Sequence, residues 1–179
     1  MTTPFDPDLH LKQDISEVSQ IQTIVRRLHE KMQRDATVQN TTDSLRNFLQ
    51  VDRVVLYYFY QQWKGRVTFE SLSNQKFSIL GSTGPDECFN GEYAAMYLEG
   101  RVRAIADIET ELIAPCHRDF LRDIQVRANL VVPILTAKGL WGLLVAHHCQ
   151  SLKQWTETDI TQMQQGALTL ASAPSIKEN

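Results

Sequence analysis

Ala114-Pro115-Cys116-His117-Arg118-Asp119-Phe120-Leu121-Arg122 and, three residues on, Val126-Arg127-Ala128-Asn129-Leu130-Val131-Val132-Pro133 form the stretch around which the chain is organised. The first part sets a thiol beside an imidazole at the start of a helix-like segment, with Phe120, Leu121 and Ile124 at helical spacing. The second part is a continuous apolar run that reads as a buried strand over residues 129–135. Residues 140–148 read as its partner, because Thr136-Ala137-Lys138-Gly139 between them is a hairpin turn by length and composition. On the second strand His147 and His148 must face opposite ways, so only one of them enters the interior, and that one needs a hydrogen-bond partner.

Working outward, Val51 to Tyr60 is rich in β-branched and aromatic residues, and Gln61-Gln62-Trp63-Lys64-Gly65 turns it back into residues 66–71. The aromatic cluster of Tyr57, Tyr58, Phe59, Tyr60 and Trp63 is read as core and turn packing. Gly81-Ser82-Thr83-Gly84-Pro85-Asp86 is a loop dense in turn residues, followed by a helix carrying Tyr93, Met96 and Tyr97 that ends at Gly100. Towards the N-terminus, Ile15, Val18, Ile21, Ile24, Val25, Leu28 and Met32 predict an amphipathic helix from Ile15 to about Arg34 with Ile21, Val25 and Leu28 on its core face. The same helix is a candidate homodimer surface. Residues 1–14 read as a lead-in without periodicity, and Thr41-Thr42-Asp43 as the cap of a short helix through Leu45, Phe48 and Leu49. A last helix starts at Trp155-Thr156-Glu157-Thr158-Asp159 and runs through Ile160, Met163, Ala167 and Leu170. Antiparallel hairpins with helices at both chain ends give an α+β class, helices packed on a central sheet.

With 179 residues the chain is long enough for one domain with a proper core. A net charge of −3 with scattered Lys and Arg offers no basic face for nucleic acid. No run reaches the roughly 18–20 apolar residues of a membrane span, and no signal peptide opens the chain, so the expected location is the cytoplasm. Cys88, Cys116 and Cys149 are an odd count, which argues against a structural disulfide framework and leaves each to be judged as an individual thiol. No spacing among the cysteines and histidines supports zinc.

Cys116 and His117 read as nucleophile and base, yet neighbours on a helix point about 100° apart, which places them poorly for a direct hydrogen bond. An ordinary structural role stays open beside the reactive one. Cys88 lies in a loop where an inert buried thiol is unexpected, and Cys149, after His147-His148, reads as packing or solvent-facing.

Taken together, Cys116-His117, Leu121-Arg122, the run 126–133 and Trp141-Gly142-Leu143-Leu144-Val145-Ala146-His147 closely resemble the bilin-binding GAF domains of cyanobacteriochromes, the cyanobacterial relatives of phytochromes. The resemblance covers about residues 15–172 and implies a single GAF domain over 15–179. Asp86-Glu87-Cys88-Phe89 resembles the Asp-Xaa-Cys-Phe motif of the dual-cysteine subfamily.

That resemblance implies a photoreceptor rather than an enzyme, with a linear tetrapyrrole, phycoviolobilin or phycocyanobilin, held by a thioether to Cys116 and packed on His117. Any lyase or isomerase activity would act on its own chromophore. Cys88 would add reversibly at the central bridge, which divides the conjugated system and gives a blue-absorbing state that alternates with a longer-wavelength one. Asp86 would bond pyrrole nitrogens, His147 the far ring, and Arg101 and Arg103 the propionates, with Tyr93, Tyr97 and Leu121 lining the pocket. The output domain would lie in a parent protein. A GAF domain for a diffusible ligand such as a cyclic nucleotide, and a GAF-type thiol reductase using Cys88 and Cys116 as a redox pair, are the competing classes.

Overall fold

The structure, a computed structural model, describes residues 7–84 and 91–179. Strands β1 (Arg53–Gln61), β2 (Lys64–Leu72), β3 (Arg103–Ile105), β4 (Ala128–Thr136) and β5 (Gly139–His148) form one antiparallel sheet in the order β2-β1-β5-β4-β3. The helices are α1 (Pro7–Gln33), α2 (Ala36–Leu49), α3 (Gly91–Leu98), α4 (Pro115–Asp123), α5 (Glu157–Ala171) and the short α6 (Pro174–Lys177). The α+β class is as expected, and both hairpins stand where their turn residues put them.

Period-2 alternation gives the sheet two distinct faces. Val54 and Leu56 of β1, Leu130, Val132 and Ile134 of β4, and Leu144 and Ala146 of β5 are buried in one cluster with Met32 of α1, Leu45 and Leu49 of α2, and Met163 and Leu170 of α5. The intervening residues Val55, Val131, Leu143 and Val145 form a second cluster on the other face, with Tyr97 of α3. A register shift between Leu56 and Tyr57 leaves Thr68 of β2 unpaired in the ladder, so Val67 joins the second cluster and Phe69 the first although they lie two residues apart.

Two helix boundaries differ from the sequence reading. α1 begins at Pro7, inside the stretch taken as lead-in, and its first half is exposed, with Leu11, Ile15 and Val18 facing solvent. The turns before Ile15 carry no apolar face against the core, so periodicity does not mark them, and Ile15 and Val18, which it does mark, are exposed; Leu28 and Met32 are the buried positions. α2 begins at Ala36 and not after Thr42-Asp43. Its cap is Asp35, whose side chain accepts from the Thr37 and Val38 N–H groups. Thr42 is buried inside the helix and bonds back to the Val38 carbonyl at 2.8 Å, which satisfies its hydroxyl locally. No helix among the described residues is long and apolar enough to cross a membrane.

Candidate ligand-binding cleft

The second face of the sheet floors a cleft of about 770 Å³, part of it open to solvent. Val55, Val131, Leu143 and Val145 form the floor, while α4 contributes His117, Phe120, Leu121 and Ile124, and α3 contributes Tyr97. The size and the mostly apolar lining with a few polar side chains are those of a small-molecule site.

Two of its polar side chains, His147 and Asn129, belong to one row across three strands. Arg53 of β1 pairs with His147 of β5, which pairs with Asn129 of β4. His147 is the inward-facing histidine, 4% exposed, and its partner is the Arg53 guanidinium, whose Nε lies 2.9 Å from the imidazole Nδ1. Burial, and then the Arg53 cation, hold this imidazole well below its ordinary titration range, so it is neutral. Asn129 also lines the cleft, and its buried Oδ1 has no partner among the described residues.

α4 is built to start abruptly. Pro115 occupies its first turn, where a missing N–H costs nothing, and Gln125, at φ 61°, closes it, with the Val126 N–H donating to the Leu121 carbonyl at 2.8 Å. Cys116 therefore sits in the first turn, exposed, and is disulfide-bonded in this structure, which corrects the reading of every cysteine as a separate thiol. His117, half-buried, turns into the cleft; its pKa is lowered by burial and then by Arg103 and Arg101. Leu121 is buried against the same wall. Cys149 lies away from the cleft lining, and burial pushes its thiol up to about 11, which makes it a poor nucleophile at neutral pH.

Arginines fasten α4 and its leading loop to the sheet. Arg118 donates to the carbonyls of Ile108 and Glu111 at 2.8 and 2.6 Å, and Arg127 grips Asp107 with two bonds of 2.7 and 2.9 Å. The Arg127 hydrogen bond, and then the Glu109 N–H, hold the Asp107 carboxyl at about 2. A carboxyl depressed on folding stabilises above its unfolded value of about 4 and loses that contribution as pH falls through its folded value. We therefore expect Asp107→Asn to flatten the acid-unfolding profile between about pH 4 and pH 2. Urea midpoints across that range, followed by tryptophan fluorescence, check this; an unchanged slope removes Asp107 from the account.

Of the two arginines expected at the site, Arg103 lines the cleft and pairs with Glu111 at 3.6 Å. Arg101 lies over the Tyr97 ring at 5.7 Å and acts on both Tyr97 and His117 through its charge. Tyr97 is 4% exposed, and its pKa is raised by burial. Asp86, Cys88 and the Tyr93 side chain lie outside the described residues.

Four contributors went unnoticed in the sequence. Arg53 and Asn129 carry the signal of a polar residue inside an apolar strand run. Tyr57 and Trp63 do pack, each edge-on with Phe59, and they line the cleft as well. The Tyr57 hydroxyl accepts from the Gly84 N–H at 2.8 Å, and a Cβ at Gly84 would collide with that hydroxyl, so the glycine lets the loop lie against the ring.

Residues 33–173 match the GAF domain family. The chain belongs to the GAF family. Two curated relatives bracket this GAF domain: an uncharacterised protein of Picosynechococcus sp., 52% identical over 81% of this chain and 89% of its own, and a putative methyl-accepting chemotaxis protein of Synechocystis sp., 34% identical over 84% of this chain. The match spans only 16% of the chemotaxis relative.

Among solved structures, the blue-light absorbing form of the Thermosynechococcus elongatus PixJ GAF domain is 34% identical over 74% of this chain and 84% of its own, with a TM-score of 0.65. A phycoerythrobilin-bound GAF domain from a cyanobacterial phytochrome is 25% identical over 84% of this chain and 94% of its own, with a TM-score of 0.64. The five-stranded antiparallel sheet with its flanking helices is thus the GAF fold.

Proposed function

We propose that this GAF domain is a light-sensing module of the cyanobacteriochrome kind and that its cleft holds a linear tetrapyrrole. The observation that carries this is the meeting, across one apolar cleft, of the wall formed by α4, whose first turn bears Cys116, with the polar row of His147 and Asn129. The residues fit such a group. Its rings need an apolar floor, its propionates need cations such as Arg103 and Arg101, and the unpartnered Asn129 Oδ1 calls for a donor.

Bound there, the pigment supplies visible absorption and a light-driven double-bond isomerisation. The protein's part is attachment and positioning. Once two equivalents of a cellular thiol have reduced its disulfide and left as a disulfide of their own, Cys116 would be the residue that holds the group, by addition of its S–H across a side-chain double bond with no leaving group. His117, its pKa lowered by burial, would support the rings, Tyr93, Tyr97 and Leu121 would enclose them, and His147 would meet the far ring.

The finer reading is the dual-cysteine subfamily, with phycoviolobilin formed from phycocyanobilin by the domain itself, and with Asp86 and Cys88 acting from their loop. A second thiol on the central bridge shortens the conjugated path and moves absorption to the blue, so Cys88→Ala is expected to keep covalent pigment and lose the blue-absorbing state altogether. Retention of that state in the variant's spectrum removes Cys88 from the switch. Chemotaxis or kinase output domains in a parent protein, a cytoplasmic setting and pairing of two copies through α1 belong to the same reading, the last supported by the exposed Leu11, Ile15 and Val18.

Expression with phycocyanobilin and a denaturing gel stained for zinc fluorescence tests attachment; a dark band at the protein's mass counts against it. The disulfide at Cys116 favours one other reading, a GAF-type thiol reductase. Sulfoxide turnover by bilin-free protein, abolished by Cys116→Ser, would support that reading in place of the first.

A further inference from the structure

Arg53 is fully buried on β1, and each of its three guanidinium nitrogens donates a hydrogen bond. Nε donates to His147 Nδ1 at 2.9 Å, one terminal nitrogen donates to the Phe77 carbonyl at 2.8 Å, and the other donates to the Ile124 carbonyl at the end of α4. A side chain held on three sides by groups from separate elements has one orientation. A guanidinium has donors only, so the ring nitrogen it meets must present a lone pair. A neutral imidazole with a lone pair on Nδ1 carries its proton on Nε2.

We infer that Arg53 is the positioning residue of His147, fixing it as the neutral Nε2–H tautomer so that this point of the cleft wall offers a hydrogen-bond donor. Protonation of Nδ1 would break the Arg53 bond and set two cations in contact within the interior. A second observation agrees. Asn129 is the next residue in the cross-strand row, yet its Oδ1 takes no bond from His147, so the Nε2–H is not consumed within the row.

The charged and titratable groups around the ring are few. Arg53 faces it from β1; burial works against its charge, and the carboxylates Glu70 and Asp52 support it. His117 of α4 lines the same cleft, with Arg103 of β3 and Arg101 nearby. Among the described residues no carboxylate shifts the His147 ring, and Arg53 is the charged group that acts on it. That the donor serves a bound pigment rests on the proposed function; the tautomer itself does not.

The test uses the whole chain without pigment, labelled with nitrogen-15 at histidine, in long-range proton–nitrogen spectra from about pH 8 to about pH 5, the span that brackets ordinary histidine titration. His147 is assigned by the signals lost in His147→Gln. The expected result is a single tautomer with bare Nδ1 and protonated Nε2 that does not titrate across the range. In Arg53→Met the ring, still buried but no longer met by a fixed donor at Nδ1, should become a tautomer mixture. Wild-type protein with a protonated Nδ1, a mixture, or a midpoint in the ordinary range overturns the inference, and this holds even if Arg53→Met does not fold. A folded Arg53→Met that keeps the single tautomer also overturns it. Failure of pigment attachment would remove the photoreceptor reading and leave these spectra unchanged.

Discussion

Cys116→Ser is expected to take covalently bound pigment from full occupancy to none on a denaturing gel while leaving the reduced protein's stability within about 0.5 kcal/mol of wild type. The first half follows from nucleophilicity. A thiol in the first turn of a helix is drawn towards its thiolate by the unsatisfied N–H groups there, whereas a serine hydroxyl stays protonated and unreactive under the same influence. His117 gives no cationic help, because burial lowers its pKa. The second half follows from exposure: Cys116 is on the surface of α4, and the packing of that helix rests on Leu121 with Ile105, Ile108 and Val126. The readout is zinc fluorescence for attachment and a urea midpoint under reducing conditions for stability. Pigment retained by the variant moves the attachment point elsewhere.

The second large effect separates the two faces of the sheet. Val131 and Val132 are adjacent on β4 and both buried, but Val131 belongs to the cleft floor and Val132 to the core under the helices. Val131→Trp places an indole into the open cleft, so pigment binding is expected to fall at least tenfold, about 1.4 kcal/mol or more, with the fold intact. Val132→Trp forces the same bulk into a filled core and is expected to cost about 1–3 kcal/mol of stability. Circular dichroism melts and pigment-to-protein absorbance ratios on the two variants distinguish these outcomes. Equal behaviour would mean that the cleft is not where the pigment sits.

Much of this was legible in the sequence because it is local. The turn residues 136–139 fix one hairpin, Pro115 marks the start of α4, and period-2 alternation requires that His147 or His148 turn inward and find a partner. The identity of that partner was not legible: Arg53 is 94 residues away along the chain, and only the β1–β5 register brings it alongside. Tyr57 and Trp63 pack as expected, but their place on the cleft was not legible, because alternation says which residues share a face and not which face the helices cover. The start of α2 was missed because Asp35, a lone acid beside Arg34, makes a weaker pattern than Thr41-Thr42-Asp43, although its carboxylate both caps the helix and receives the Ser175 N–H and hydroxyl at 2.9 and 2.7 Å. The resemblance to cyanobacteriochrome GAF domains joined Cys116, His117 and His147 into one site, and the cleft brings the wall that carries the first two opposite the third.

The most direct test of the account is an absorption spectrum of the pigment-loaded chain before and after illumination. The account predicts a blue-absorbing state that converts under blue light to one absorbing at longer wavelength and returns under light of that second colour. A loaded protein whose spectrum is the same before and after illumination contradicts it.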